Sequence, residues 1–393
     1  MTWRREHTIV LIIKITEILG FSLILPFLPF YAQNLGASPF QVGLILATFS
    51  LFQFISAPIM GKLSDSFGRR PLLIISQIST MISFIILGFA NNLWMLFLSR
   101  LIDGLFGSNY TITQAYLSDI TPKKDLTKVF SLTGIAFSIG FFIGPAIGGY
   151  LSQYSFGLPS FLAAGMAAVT IITTYLYLPE TVKKSTKFTL SWKMLKLNHF
   201  SLLKSKASIS LPLWEFWLFV LTHGLWVSSF ALYAERQLNF TAKDIGFVFA
   251  TIGGVSILIK GVVLPKLLNI FDEEKLRIVG ASTIVLSLIS TPWIVSRPQI
   301  TLAIILFSFG SSMLRPSLIS HISRQAPAEK QGEVMGITDS LGSTSQIIGP
   351  LMGGFLIQNF FPGSLGLVAA FVMTIGLIVL IIDSKQKKSE VSN

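Results

Sequence analysis

Twelve apolar runs, each roughly twenty residues long and separated by short polar connections, constrain this chain more than any other feature. A helix needs about 20 apolar residues to cross a hydrocarbon core of about 30 Å. The runs meeting that test are residues 9–31, 40–60, 72–90, 93–117, 129–151 and 158–178, then 213–234, 245–267, 276–295, 300–322, 334–357 and 365–382. None alternates apolar with polar residues as the strands of a membrane barrel do. The expected fold class is therefore an all-α membrane protein with twelve transmembrane helices. Composition supports this, because 52% of the 393 residues are hydrophobic and only 12% are charged. An average soluble chain carries about 25% charged residues. So little charge cannot coat a water-soluble globule, which excludes a cytosolic enzyme and a disordered chain. Cysteine is absent, which excludes a disulfide scaffold. The basic start at Arg4 and Arg5 leads into an apolar run carrying Lys14 and Glu17, with no small-residue cleavage site, and reads as a retained first span.

The net charge of +12 comes from 30 Lys and Arg against 18 Asp and Glu. Such a balance suits either a nucleic-acid footprint or a membrane surface. Position decides. Most of the basic residues fall in connections on the amino-terminal side of the membrane. The opposite loops hold only Arg236, Lys243 and Arg297, and the spans hold Lys14, Arg100, Lys260 and Arg315. By the positive-inside rule, both termini are expected in the cytoplasm, in a multi-pass protein of the cell membrane with no nucleic-acid partner.

Residues 180–212 form the only long polar stretch, with seven Lys, and divide the spans six and six. The expected organisation is a six-helix bundle over 1–182, a cytoplasmic linker over 183–212 and a second bundle over 213–393. Within the linker, residues 190–203 read as an amphipathic segment lying on the membrane face. Motifs recur between the halves. Gly144-Pro145-Ala146-Ile147-Gly148-Gly149 matches Gly349-Pro350-Leu351-Met352-Gly353-Gly354, 205 residues later, and Pro122 matches Pro327 at the same offset. Lys62-Leu63 corresponds to Lys266-Leu267. Such duplication predicts two pseudo-symmetric six-helix bundles, an architecture in which transporters place their site between the halves.

Between spans two and three stands Gly61-Lys62-Leu63-Ser64-Asp65-Ser66-Phe67-Gly68-Arg69-Arg70. Gly61 allows close helix approach, Gly68 a tight turn, and Asp65 suits the positive amino end of a helix. A plain positive-inside loop explains Arg69 and Arg70 but not Asp65 with both glycines. This stretch resembles the signature loop of the major facilitator superfamily, and the twelve-span plan extends the resemblance over the whole chain. It implies that Gly61, Asp65, Gly68, Arg69 and Arg70 form a gating loop that holds the halves in one conformation. The counterpart in the second half has decayed, with Asn269 near the place of Asp65 and Glu273 and Glu274 near those of the arginines.

Gly140, Gly144, Pro145, Gly148 and Gly149 in span five have glycines four apart, a close-packing face with a proline bend. They also resemble the motif of the superfamily's proton-coupled drug antiporters. Glu17 lies deep in span one, where a charge is costly and marks function by default. Glu17-Ile18-Leu19-Gly20-Phe21, followed by Pro26 and Pro29, is similar to the first span of tetracycline and multidrug exporters, which implies a part in proton coupling or substrate recognition. The plainer reading is an ion pair with Lys14 on the same helix face. Span three offers Ser83 where tetracycline exporters have an acid, so tetracycline itself fits poorly. Arg100, Asp103 and Gly104 resemble the family's Arg-x-x-x-Gly element, which implies proton transfer, and Arg100 also suits a simple pair with Asp103.

Four further expectations concern the spans. Tyr110, Thr113 and Gln114 share a face and, with Phe21, are candidates to line a cavity. Arg315 and Asp339, on sequential antiparallel spans, are expected at one depth as an inner-gate ion pair or a structural pair. His223, Trp226 and Phe230 share a face that offers aromatic surface to a lipophilic cation or packs as scaffold. Glu215 and Lys260 lie near the inner ends of adjacent spans and are candidates to pair. No phosphate-binding Gly-Lys-Ser/Thr loop, nucleophile constellation or metal cluster emerges, so neither an enzyme nor a cofactor is expected. The combined expectation is a monomeric secondary transporter partnered by lipid, protons and a small-molecule substrate, exporting amphipathic drugs by antiport. A sugar or metabolite transporter, working by symport or facilitated passage, and a non-transporting sensor are the alternatives.

Overall fold

The computed structural model describes residues 5–122, 125–182, 209–326 and 331–392, and among these there is helix and no strand. The expected linker segment 190–203, and Pro327, lie outside the described residues. Among the described residues, ten of the twelve expected spans are helical stretches long and apolar enough to cross a membrane. The first half consists of α1 (Arg5–Ile24), α2 (Leu28–Asn34), α3 (Pro39–Phe67), α4 (Arg69–Gly88), α5 (Leu93–Phe106), α6 (Asn109–Ile120), α7 (Leu126–Leu151) and α8 (Gly157–Tyr177). In the second half come α9 (Ser210–Leu238), α10 (Ala242–Leu258), a π-helical turn (Ile259–Val263), α11 (Leu264–Leu268), α12 (Glu273–Ile289), α13 (Arg297–Gln325), α14 (Gln331–Asn359) and α15 (Ser364–Ser392).

Two spans are broken where the sequence reading had them continuous. Span one stops at Ile24 and resumes at Leu28, because Pro26 lacks an amide donor and disfavours helix in the residue before it. Span four divides into α5 and α6 at Gly107 and Ser108. The Asp103 carbonyl accepts from the Gly107 amide at 2.7 Å, and a Cβ on Gly107 would lie 2.5 Å from Asp103 Oδ1. Ser56 makes good the polar groups at the break, donating to the Gly104 carbonyl at 2.9 Å and lying 3.2 Å from the Ser108 hydroxyl. Exposed backbone at membrane depth needs partners of this kind. The other shortfall, span eleven, is one 29-residue helix, α14, whose Gly, Ser and Thr content lowers its hydropathy.

The chain separates into two compact units. Unit one comprises Met1–Ser38, Thr48–Leu195 and Thr241–Gly253, and unit two comprises Pro39–Ala47, Lys196–Phe240 and Gly254–Asn393. In unit one α1 packs on α7 and α8, and α4 packs on α5, α6 and α8. Unit two repeats the pattern, with α9 on α14 and α15 and α12 on α13 and α15. The duplication seen in the motifs is thus repeated in the helix pairings.

Glycines set the closest of these pairings. A Cβ on Gly140, Gly144 or Gly148 of α7 would fall 2.4 Å from Ile18 Cγ2, 1.9 Å from Ser22 Oγ or 1.9 Å from the Leu23 carbonyl oxygen of α1. The Ser22 hydroxyl donates across the interface to the Gly140 carbonyl at 2.9 Å. In unit two a Cβ on Gly349 or Gly353 of α14 would meet Gly224 or Ser229 of α9 equally closely, at 2.6 and 1.9 Å. Small residues four apart let two backbones touch, and the contact is van der Waals rather than hydrophobic in origin. Gly149 faces the first turns of α10 instead, with the Ala242 carbonyl 2.6 Å from its missing Cβ.

Candidate functional site

The signature stretch is not a loop. Helix α3 runs through Phe67 and α4 begins at Arg69, leaving Gly68 alone between them at φ 108°. That backbone region favours glycine. A Cβ there would also lie 2.4 Å from Glu180 Oε2. Glu180, at the exit from α8, accepts from the Arg69 and Arg70 amides at the start of α4 at 2.8 and 3.2 Å. It accepts as well from the Thr181 and Val182 amides at 2.9 and 3.1 Å. A carboxylate is well placed at a helix amino end, where unpaired amides and the helix dipole both favour negative charge.

In this unit Glu180, rather than Asp65, occupies that position. Asp65 instead pairs with Arg69 one turn on, at 2.5 Å. The Arg69 guanidinium also bonds Asp119 Oδ2 at 2.9 Å and the Ser64 hydroxyl at 2.6 Å. One arginine therefore ties the end of α3 and the start of α4 to the end of α6. Arg70 donates to the Tyr175 carbonyl and lies over the Tyr175 ring, 5.0 Å being the comparable distance from Arg5 to the Tyr177 ring. Leu178-Pro179-Glu180-Thr181 resembles the family's exit from span six. The pairing of Glu180 and of Asp119 with the start of α4 is not legible in the sequence, because they lie 111 and 50 residues from Arg69.

Farther into unit one, Lys14 and Glu17 do not pair with each other. The fully buried Lys14 ammonium donates to Gln114 Oε1 at 2.8 Å and sits 4.0 Å above the Tyr110 ring. Glu17 Oε1 accepts from Gln77 Nε2 of α4 at 3.4 Å. Separate partners from α4 and α6 thus hold the two charges on α1. Phe21, one turn beyond Glu17, has its ring centroid 5.7 Å from that of Phe49 and 6.5 Å from that of Phe141. The structure therefore gathers Glu17, Phe21, Tyr110 and Gln114 in one unit, with Tyr110 58% exposed.

A second buried group borders the break in span four. Arg100 Nη1 lies 3.8 Å from Asp103 Oδ2, and both side chains are buried. Thr80 donates to Asp103 Oδ1 at 2.8 Å, and Arg100 donates to Ser83 at 3.3 Å. Ser83, which takes the place of an acid in the resemblance, thus serves as an acceptor for Arg100. Gly104 admits α3, since a Cβ there would lie 2.7 Å from the Phe49 carbonyl oxygen. The pair is structurally held from α4, and its neighbours are hydroxyls rather than further charges.

Unit two carries a group that the sequence reading missed. Glu215 does not pair with Lys260. Its carboxylate accepts from Arg277 at 3.0 Å, and Arg277 lies 3.9 Å from Asp383. Asp383 in turn lies 2.9 Å from His321 Nε2, and Gln325 is 3.1 Å from the same nitrogen. These residues join α9, α12, α13 and α15. Arg277 looked like one more cytoplasmic basic residue, and its burial was the missing information. The repeat offset held a signal. Residues 205 earlier are Val10, Leu72, Tyr116 and Leu178, which belong to one apolar cluster of unit one. At the same place in the fold, one half has a hydrophobic core and the other an ion network.

The aromatic face on α9 divides. Trp226 and Phe230 are 2% and 1% exposed and pack with Tyr233 and Phe307. They are core residues of unit two, which corrects their assignment to a cavity wall. His223, on the same helix, remains partly exposed, with its ring 5.7 Å from that of Phe307. Arg315 of α13 acts electrostatically on Asp339, His223 and Lys260, without a hydrogen bond or ion pair to any of them among the described residues. The expected inner-gate pair of Arg315 with Asp339 is therefore not made here, and Arg315 reaches Asp339 only through its field.

Two repeated bundles of transmembrane helices, with a few charges held inside the spans, define a multi-pass helical membrane protein of transporter architecture. The chain belongs to the Major Facilitator Superfamily, whose family model matches residues 10–350 and 298–393. It is 28% identical to the tetracycline resistance protein, class H, of Pasteurella multocida, over 94% of each chain. It is also 28% identical to multidrug resistance protein 2 of Bacillus subtilis, over 98% of this chain and 97% of that one. A similar solved structure is that of the human organic anion transporter MFSD10 (TETRAN), with a TM-score of 0.71 and 22% identity, covering 96% of this chain and 99% of that one.

Proposed function

We propose that this chain is a proton-coupled exporter of small amphipathic compounds, drugs among them, and that it works as a monomer in the cell membrane with both termini in the cytoplasm. Its relatives' resistance names support the export of drugs, and the distribution of Lys and Arg supports the orientation. The proposed domain division is the one read from the sequence, a linker over 183–212 between two six-span bundles. On this reading the protein is a transporter and not an enzyme.

One observation carries the coupling assignment: Glu17 sits roughly 18 Å along α1 from Arg5, at 1.5 Å per residue, with Gln77 as its hydrogen-bond partner among the described residues. A carboxylic acid at such a depth is costly when charged, and in membrane proteins such groups mark proton and substrate pathways. Lys14, held by Gln114 and Tyr110, leaves Glu17 able to gain and lose a proton without breaking an ion pair. Glu17 would take a proton from outside and release it inside as substrate leaves. Arg100 and Asp103 would assist from the buried pair beside the span-four break, and the Asp65–Arg69–Asp119 cluster would latch one conformation.

The test uses proteoliposomes loaded with cationic, neutral and anionic amphipathic drugs, and sugars as a comparison. Export should rise when an inward proton gradient is imposed, and Glu17→Gln should abolish that rise while substrate binding persists. An unchanged gradient-driven component in Glu17→Gln would sink the coupling assignment. Transport of sugars alone would replace drug export with the metabolite reading.

A further inference from the structure

Two basic residues, Lys260 and Arg315, lie within spans of unit two. Among the described residues, Arg315 acts electrostatically on Lys260, His223 and Asp339. The remaining acids inside these spans are committed elsewhere, since Glu215 bonds Arg277 and Asp383 lies against His321 and Arg277. Among the described residues the Lys260 ammonium has neither a hydrogen bond nor an ion pair, and its side chain is exposed.

Geometry brings Lys260 and Arg315 to one depth. Spans eight and ten run in the same direction through the membrane. Ser256, one turn before Lys260, and Ser312, three residues before Arg315, have their hydroxyls 2.8 Å apart. Ser256 also lies 3.5 Å from Ser308. Lys260 further belongs to the π-helical turn Ile259–Val263, which packs on α13. Such turns inside helices recur at functional sites, because the extra residue re-aims a side chain. A Cβ on Gly261 would meet nothing within 4 Å, so the turn is not imposed by crowding there.

An ammonium facing hydrocarbon without a counter-charge is strongly disfavoured, and intramembrane cations of this kind face water-filled cavities and substrate paths. From these observations we propose that Lys260, with Arg315 at the same depth, forms the binding site for an anionic group, a carboxylate or sulfonate, on an amphipathic substrate. This rests on the transport reading and deepens it by naming the substrate class as organic anions in place of lipophilic cations. Lys260, which makes neither hydrogen bond nor ion pair among the described residues, would supply the charge that meets the anion, and Arg315 would add to the positive field beside it.

The test is equilibrium binding to the purified full-length protein in lipid nanodiscs, with no gradient. The probes are radiolabelled 2-naphthylacetate, its neutral amide and 2-naphthylethylammonium, followed by a panel of amphipathic carboxylates and sulfonates. Saturable binding should be confined to anions. Lys260→Gln should weaken it at least tenfold, while Lys260→Arg should keep it within a few-fold of wild type. Thermal unfolding and size-exclusion profiles confirm that both variants are folded. Preference for the ammonium probe, anion binding untouched by Lys260→Gln, or no saturable anion in the panel would overturn the proposal. Because no transport is required, a protein that binds anions but exports nothing contradicts only the transport reading. Glu17-dependent export of cations without anion binding contradicts only this one.

Discussion

Replacing Arg277 by leucine leaves Glu215, which has no exposure at all, facing a hydrocarbon side chain in place of a guanidinium 3.0 Å away. Removing one member of a buried ion pair costs roughly 3–5 kcal/mol, because the surviving charge loses its compensation without regaining water. For a cooperative unit of this size, each kcal/mol moves the unfolding midpoint by about 2–4 °C, so Arg277→Leu should lower it by roughly 6–20 °C. The fold itself supplies the remedy. Unit one fills the equivalent positions with Val10, Leu72, Tyr116 and Leu178, all buried, and the Tyr116 hydroxyl donates to the Pro179 carbonyl at 2.8 Å. Installing Glu215→Val, Arg277→Leu, His321→Tyr and Asp383→Leu together copies that apolar solution into unit two. Replacing a whole buried ion network by well-packed apolar groups is commonly neutral or stabilising by about 1–4 kcal/mol. The quadruple variant should therefore unfold near or above the wild-type midpoint, well above Arg277→Leu alone. Thermal unfolding of purified protein in one detergent, followed by tryptophan fluorescence, measures both. A quadruple variant as unstable as the single, or a single variant with an unchanged midpoint, would refute the argument from burial and repeat symmetry.

Two further outcomes follow from close contacts. Gly144→Ala places a methyl group 1.9 Å from Ser22 Oγ, and overpacking of this kind costs about 1–3 kcal/mol; the unfolding midpoint should drop, with partial recovery on adding Ser22→Ala, and an unchanged midpoint would mean that α1 and α7 are not in tight contact. Glu180→Gln leaves a single acceptor oxygen for the Arg69 and Arg70 amides and removes the charge at the start of α4, a change of about 1 kcal/mol; it should lower the midpoint by a few degrees at low salt, and an identical midpoint would deny Glu180 its capping role.

What the sequence determined by itself was everything governed by local composition. Twenty-residue apolar runs imply spans because a backbone in lipid must satisfy its own hydrogen bonds, and the 205-residue offset implies duplication because the same glycine-and-proline pattern solves the same packing problem twice. Gly61 to Arg70 was legible for a similar reason, since its glycines and charges lie within one short stretch. Even there the reading gave a loop where α3 continues to Phe67, because hydropathy marks where the membrane ends and not where hydrogen bonding ends. Tertiary structure alone decided the partners of the charges. Lys14 could meet Glu17 three residues away, yet it meets Gln114, 100 residues away, because α6 brings an acceptor and an aromatic ring to its face of α1. Arg277 finds Glu215 at a separation of 62 residues, and Trp226 and Phe230 turn into the core because neighbouring helices cover them. Side-chain charge and helix periodicity are properties of a short segment. Which neighbour compensates a buried charge depends on how helices far apart in the chain pack together.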